Sequence, residues 1–150
     1  ERNASSNSFA ENSADIDRFF KICDNIINQM VNLEGDISLE ITYANSRVKK
    51  YFEDYTKMQK KLPFEWVRTV KKHMDRLKAA ECFGDFLKLG LGKPELLTGY
   101  IHPRYSLHIS ANARLIIEPN ATQDTIMICT QIEVKGVSDY HGSKENWYIP

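Results

Sequence analysis

Apolar residues recur along the chain in two rhythms, and the change from one to the other divides it. In SADIDRFFKICDNIINQMV, the positions Ile16, Phe19, Phe20, Cys23, Ile26, Ile27 and Met30 fall at helical spacing, with Ser13 or Asp15 placed to cap the first turn. NLEGD, residues 32–36, reads as a turn or short linker around Gly35. SLEITY then alternates Leu39, Ile41 and Tyr43 with Glu40 and Thr42, as a first strand does. The helical rhythm returns twice. Asn45 is placed to cap SRVKKYFEDYTKMQKK, whose packing side is Val48, Tyr51, Phe52, Tyr55 and Met58, and Pro63 opens a second helix with Phe64, Val67, Val70, Met74 and Leu77 as its buried stripe. Two such helices in succession predict an antiparallel hairpin.

Glycines and Pro94 punctuate CFGDFLKLGLGKPELLTG, which reads as a connection holding at most a short helix around Phe83–Leu87. Beyond it the period is that of strands: YSLHIS, ARLIIEP after an ANA turn, TIMICTQIEV, then VSDY. Tyr105, Leu107 and Ile109 alternate with Ser106, His108 and Ser110, so this strand has one buried and one exposed face. The expected fold is α+β, a small antiparallel sheet packed against an N-terminal helical hairpin, with an extra N-terminal helix.

Length and charge refine this picture. At 150 residues the chain accommodates one sizeable core plus an appendage. The formal net charge of zero is unevenly spread: residues 1–37 hold seven acidic and three basic groups, and residues 38–150 hold thirteen acidic and seventeen basic ones. The expected division is an acidic extension over 1–37, polar and disordered at its start, and a basic domain over 38–150. Such a domain is compatible with a polyanionic ligand. No run of 18 apolar residues exists, so no membrane span is expected. Three scattered cysteines favour a reducing, cytoplasmic setting over a disulfide scaffold. These cysteines and the four histidines lack metal-ligand spacing and no nucleotide motif appears, so no cofactor is expected.

Candidate chemistry gathers in the strand-rich half. Arg114 opens ARLIIEP's apolar run directly after a turn; it reads either as a solvated edge residue pairing Glu118 or Asp139, or as a guanidinium clamp for phosphate. Asp139, Tyr140 and His141 follow one another at the end of the last strand, where a carboxylate, a phenol and an imidazole offer orientation, stacking and proton transfer. The lysines and arginines of the helices, among them Lys71 and Lys72, read either as a solvated surface paired with neighbouring acids or as a positive face for RNA. His73 reads as a surface position of the same helix, and His108 as a polar-phase strand residue open to a groove.

In order and spacing, ITYANSRVKKYFED, LKAAECFGDF, ELLTG, YSLHISANARLIIEP and VSDYHG resemble the RelE/ParE toxins of bacterial toxin–antitoxin systems, and within them the HigB-like plasmid-maintenance killer proteins. The resemblance runs from about Ile41 to Gly142. It implies a ribosome-dependent mRNA endoribonuclease that needs no metal, in which the 2′-hydroxyl attacks the adjacent phosphate, and a cognate antitoxin of helix-turn-helix type, with a toxin–antitoxin heterotetramer as the assembly. Carried over, Arg114 stabilises charge on the phosphate, His141 moves the proton, Tyr140 stacks or orients, and Asp139 completes the catalytic set. Apart from the resemblance, Lys71, Lys72, Arg104 and His108 are the residues expected to bind RNA. The chain departs from the HigB-like pattern where PELLTG puts Pro94 or Glu95 near an expected histidine and Thr98 in place of a lysine, and where Ala113 replaces an aromatic. Those departures favour a second reading, a catalytically impaired binding protein that keeps antitoxin or ribosome contacts. A third, a ParE-like gyrase inhibitor, fits the terminal DYHG less well.

Overall fold

The computed structural model describes the backbone of residues 13–34, 38–139 and 146–150, with side chains from Ile16 to Ile27 in the first of these segments and throughout the other two. Helices cover one side of a six-stranded mixed sheet. The strands are β1 (Glu40–Tyr43), β2 (Glu95–Leu97), β3 (Arg104–His108), β4 (Ala113–Pro119), β5 (Gln131–Asp139) and β6 (Trp147–Ile149). Their order is β1-β5-β4-β3-β2, with β6 also on β5.

The expectation of an antiparallel sheet is corrected here. β2, β3, β4 and β5 form an antiparallel meander, but β1 lies parallel to β5, with Ile41 opposite Ile132 and Tyr43 opposite Val134. Alternation in SLEITY gives the faces of β1 and not its direction. The helices between β1 and β2 carry the chain across, so β1 meets a strand some 90 residues later instead of a hairpin neighbour. β1 and β6 share one edge of β5 end to end, the first along Gln131–Val134 and the second at Val137 and Ser138. Gly136 makes this possible: its φ is +137°, and a side chain there would collide with the carbonyl of Ile149.

The expected hairpin is also altered. The helices are α1 (Ser13–Glu34), α2 (Ser46–Phe52), α3 (Tyr55–Met58), α4 (Phe64–Ala79) and α5 (Phe83–Leu89). Asn45 caps α2 as its side chain suggests, accepting from the Val48 amide at 2.9 Å. The helical rhythm nevertheless breaks at Asp54, which adopts an extended conformation and caps α3 by accepting from the amides of Thr56 and Lys57. α5 ends on Gly90 in the left-handed region, φ +65°. Ile126–Ile128, expected as strand, forms a single 3₁₀ turn, and VSD joins QIEV in the continuous strand β5, while Tyr140 lies outside the described residues.

The core lies between helices and sheet: Val48, Phe52, Met58, Val67, Val70, Met74, Leu77, Phe83 and Phe86 from the helices meet Leu107, Leu115, Ile117, Ile132, Val134 and Val137 from the strands. The opposite face of the sheet carries Arg104, Ser106 and His108 of β3, Arg114, Ile116 and Glu118 of β4, and Ser138 of β5. α1 is more loosely attached. It leans on α4, buries Phe20 against Tyr55 at a ring-centroid distance of 5.4 Å, and leaves Phe19, Ile22 and Ile26 exposed. Met30, part of the expected stripe, lies outside the described side chains. No helix among the described residues is long and apolar enough to cross a membrane.

Candidate functional site

The sheet brings part of the candidate set to one end. His108 and Arg114 are direct cross-strand partners, Arg114 is opposite Ser138 on the other side, and Ala113 is opposite Asp139. Cβ atoms so paired lie about 5 Å apart. His108, Arg114 and Ser138 therefore form a row across three strands on the face turned away from the helices, and Asp139 is the next residue along β5. Tyr140 and His141 follow Asp139 in sequence and lie outside the described residues.

The row is rigidly held. The β3–β4 turn closes through Ile109 and Ser110 amides donating to the Ala113 carbonyl at 3.1 and 3.2 Å. Arg114 folds back on that turn, its Nη1 donating to the carbonyls of Ser110 at 2.6 Å and Ala113 at 3.0 Å. These bonds orient the guanidinium at the sheet end. The His108 amide donates to the Gly92 carbonyl at 2.7 Å, and the His108 carbonyl accepts from Nε2 of His73 at 2.8 Å. The Asp139 amide donates to the Asn146 carbonyl at 2.7 Å, fastening the other end of the row.

His73 was not legible as a site residue and the structure corrects its placement: it is buried. A carbonyl only accepts, so Nε2 carries a proton, and Nδ1 makes no hydrogen bond among the described residues. Gly92, at φ +77°, leaves the ring its space, since a Cβ there would stand 2.6 Å from His73 Cε1. Burial pushes the His73 pKa down. The signal was present, because Val70, His73, Met74 and Leu77 share the i, i+3, i+4, i+7 spacing of the buried stripe. The His108 imidazole is also held below its ordinary pKa, by desolvation first and then by the positive charges of Arg114 and Lys93. A neutral imidazole beside a guanidinium combines a proton acceptor with an anion-stabilising cation.

Of the remaining members of the expected RNA-binding set, Arg104 shares this face at a distance from the row, and Lys71 does not reach it. Lys71 is fully buried, and its ammonium donates to Asp75 at 2.8 Å and to Asp24 of α1. Its charge is thus satisfied inside the molecule. Hydrogen bonds to the two carboxylates hold its pKa above the ordinary lysine value despite the opposing effect of burial. Lys71 too lay on the apolar side in sequence, four residues after Val67 and three before Met74. Lys72 is exposed on α4, beside His73 in sequence. Arg104 sits four residues from His108 along β3, roughly 13 Å away, where it pairs Glu118 at 3.1 Å and covers the Tyr100 ring at 4.0 Å. Glu118 also meets Lys135 at 3.8 Å, and Lys135 in turn pairs Glu133.

Among the described residues no group of three or more His, Cys, Asp or Glu is placed to hold a metal ion. Three comparisons were negative: no family model, no curated protein and no solved structure matches the chain.

Proposed function

We propose that the chain is the toxin of a type II toxin–antitoxin system, a HigB-like, ribosome-dependent mRNA endoribonuclease working by acid–base chemistry without a metal. One observation supports the reading: the sheet aligns His108, Arg114 and Ser138, with a guanidinium and an imidazole of lowered pKa on neighbouring strands, and Asp139, which Tyr140 and His141 follow in sequence, is the next residue along β5. In this scheme a base removes the proton of the mRNA 2′-hydroxyl, the oxygen attacks the adjacent phosphorus, and the 5′-oxygen leaves with a proton from an acid, giving a cyclic phosphate and a 5′-hydroxyl end. Arg114 stabilises the dianionic transition state. His108 and His141 share the proton transfers, which offsets the absence of a histidine in PELLTG. Ribosome and mRNA are the substrate assembly, and a helix-turn-helix antitoxin is the inhibitor.

The test is induction of the wild type, Arg114→Ala and His141→Ala in a bacterial host, with mapping of mRNA ends. The expected result is toxicity and new ends inside codons for the wild type, with both variants folded and inert. Unchanged cleavage in both variants sinks the residue assignment. A second reading, a binding protein of this kind without cleavage, draws on Thr98: it follows β2 directly and lines a surface cleft with Tyr100, Ile101 and His102, where the family pattern has a lysine. Toxicity without new mRNA ends selects that reading.

A further inference from the structure

A cavity of about 570 Å³ lies between α1, β1, the end of α2 and the end of α4, with none of the His108–Arg114 row in its lining. Its size falls within the roughly 300–1,000 Å³ of small-molecule sites. Ile27, Leu39, Ile41 and Phe52 give it apolar walls, and Tyr43 and Tyr55 add aromatic rings. Its charges are distributed with a pattern. Asp24 is answered by Lys71, outside the cavity lining. Glu53 and Lys78, by contrast, make no hydrogen bond or ion pair through their side chains among the described residues, and the same holds for the hydroxyls of Ser38, Tyr43 and Tyr55. The Tyr55 hydroxyl is buried without a partner among the described residues and has no surface open to the cavity, so Ser38 and Tyr43 are the hydroxyls left to it.

One unmatched anion, one unmatched cation and two unmatched hydroxyls around apolar walls have a definite complement. We infer that this cavity is a binding site for a small zwitterion with an apolar body: a free ammonium toward Glu53, a free carboxylate toward Lys78, and a hydrocarbon or aromatic group against Ile41 and Phe52. Amino acids and very short peptides share that chemistry. The two charges mark opposite ends of the cavity, since Glu53 follows α2 beside Tyr43, while Lys78 lies near the end of α4 that Leu39 joins by donating to the Ala80 carbonyl at 2.8 Å. Leu39 and Tyr43 are about 13 Å apart along an extended strand. The termini of a dipeptide, about 7 Å apart when extended, span most of that distance, and the Lys78 stem closes the rest. A single amino acid requires Lys78 to bend further inward. The inference is independent of the proposed nuclease reaction.

The test uses the full chain, L-phenylalanine and L-phenylalanyl-L-leucine as probes, and calorimetry together with amide chemical shifts. The expected result is saturable binding of at least one zwitterion at millimolar concentration or below, with shifts at Leu39, Ile41, Tyr43 and Glu53. The stronger binder of the two fixes the length of the ligand. Glu53→Gln and Lys78→Met each weaken binding at least about tenfold, whereas Lys60→Gln, an exposed change elsewhere, does not. Phenethylamine and phenylacetate, each carrying one of the two charges, bind at least about tenfold more weakly than the zwitterion. Absence of saturable shifts for both zwitterions overturns the inference, as does equal affinity in both cavity variants, or equal binding of either single-charge analogue.

Discussion

Lys71 and His73 stand two positions apart on α4, about 200° apart around its axis, and both are buried. They face different problems. Lys71 points to α1 and keeps a full charge inside the protein by contacting two carboxylates, one from its own helix and one from α1. His73 points to the sheet, stays neutral, and needs one carbonyl to hold its proton. The ionic side fastens a helix that otherwise buries little, while the neutral side fixes the strand beside Arg114. A buried cation depends on partners that a half-exposed helix supplies, and a buried neutral ring depends mainly on packing.

The sharpest way to break the ionic side is to remove both acids. Asp24→Asn with Asp75→Asn leaves a buried ammonium unpaired, and the expected loss is about 3 kcal/mol or more in urea unfolding. Lys71→Met, which removes the charge and keeps the volume, is expected to cost less than about 1.5 kcal/mol, because Asp24 is 49% exposed and rehydrates. A larger loss for Lys71→Met than for the double variant would reverse the account of that side.

On the neutral side, Gly92→Ala forces a methyl against His73 at a positive φ, with an expected cost of about 1–3 kcal/mol. His73→Phe leaves the His108 carbonyl without its donor, for about 1–2 kcal/mol. This side also carries a pH signature. The His73 pKa is lower folded than unfolded, so between those two values the unfolded chain binds more protons. The contribution of His73 is therefore complete above the unfolded value near 6.5 and is lost as pH falls toward the folded one. His73→Phe should flatten the slope of stability against pH below about 6.5; an unchanged slope would assign it to other groups. The smallest effect is expected on the outer face, where Arg104→Ala breaks a partly exposed pair with Glu118 and costs about 1 kcal/mol or less.

Much of this fold was legible from period alone. The helical spacing in α1 and α4, the capping side chain of Asn45 and the alternation of β1 and β3 are local signals, and the structure realises them locally. What period could not provide was partnership. The direction of β1 against β5 depends on a residue pairing some 90 positions away, and β2 and β6 are three residues each, too short for alternation to register. Asp54 was read through as helix because its neighbours kept the rhythm, although its side chain competes with the helix for backbone amides. The candidate site follows the same rule. Arg114, Asp139 and His108 stood out by type and position, but the pairing of His108 with Arg114 is a matter of register that alternation does not give. Lys71 and His73 were judged by charge and polarity when their helical phase already pointed inward.

The central claim is that the sheet end carrying His108 and Arg114 cleaves RNA, and single-turnover cleavage of mRNA on programmed ribosomes tests it most directly. The account predicts that the wild type leaves a 5′-hydroxyl end, and that Arg114→Ala, with an unchanged circular-dichroism spectrum and melting temperature, is slower by about 100-fold or more. Equal rates for the two proteins, or no cleavage by either, would contradict it.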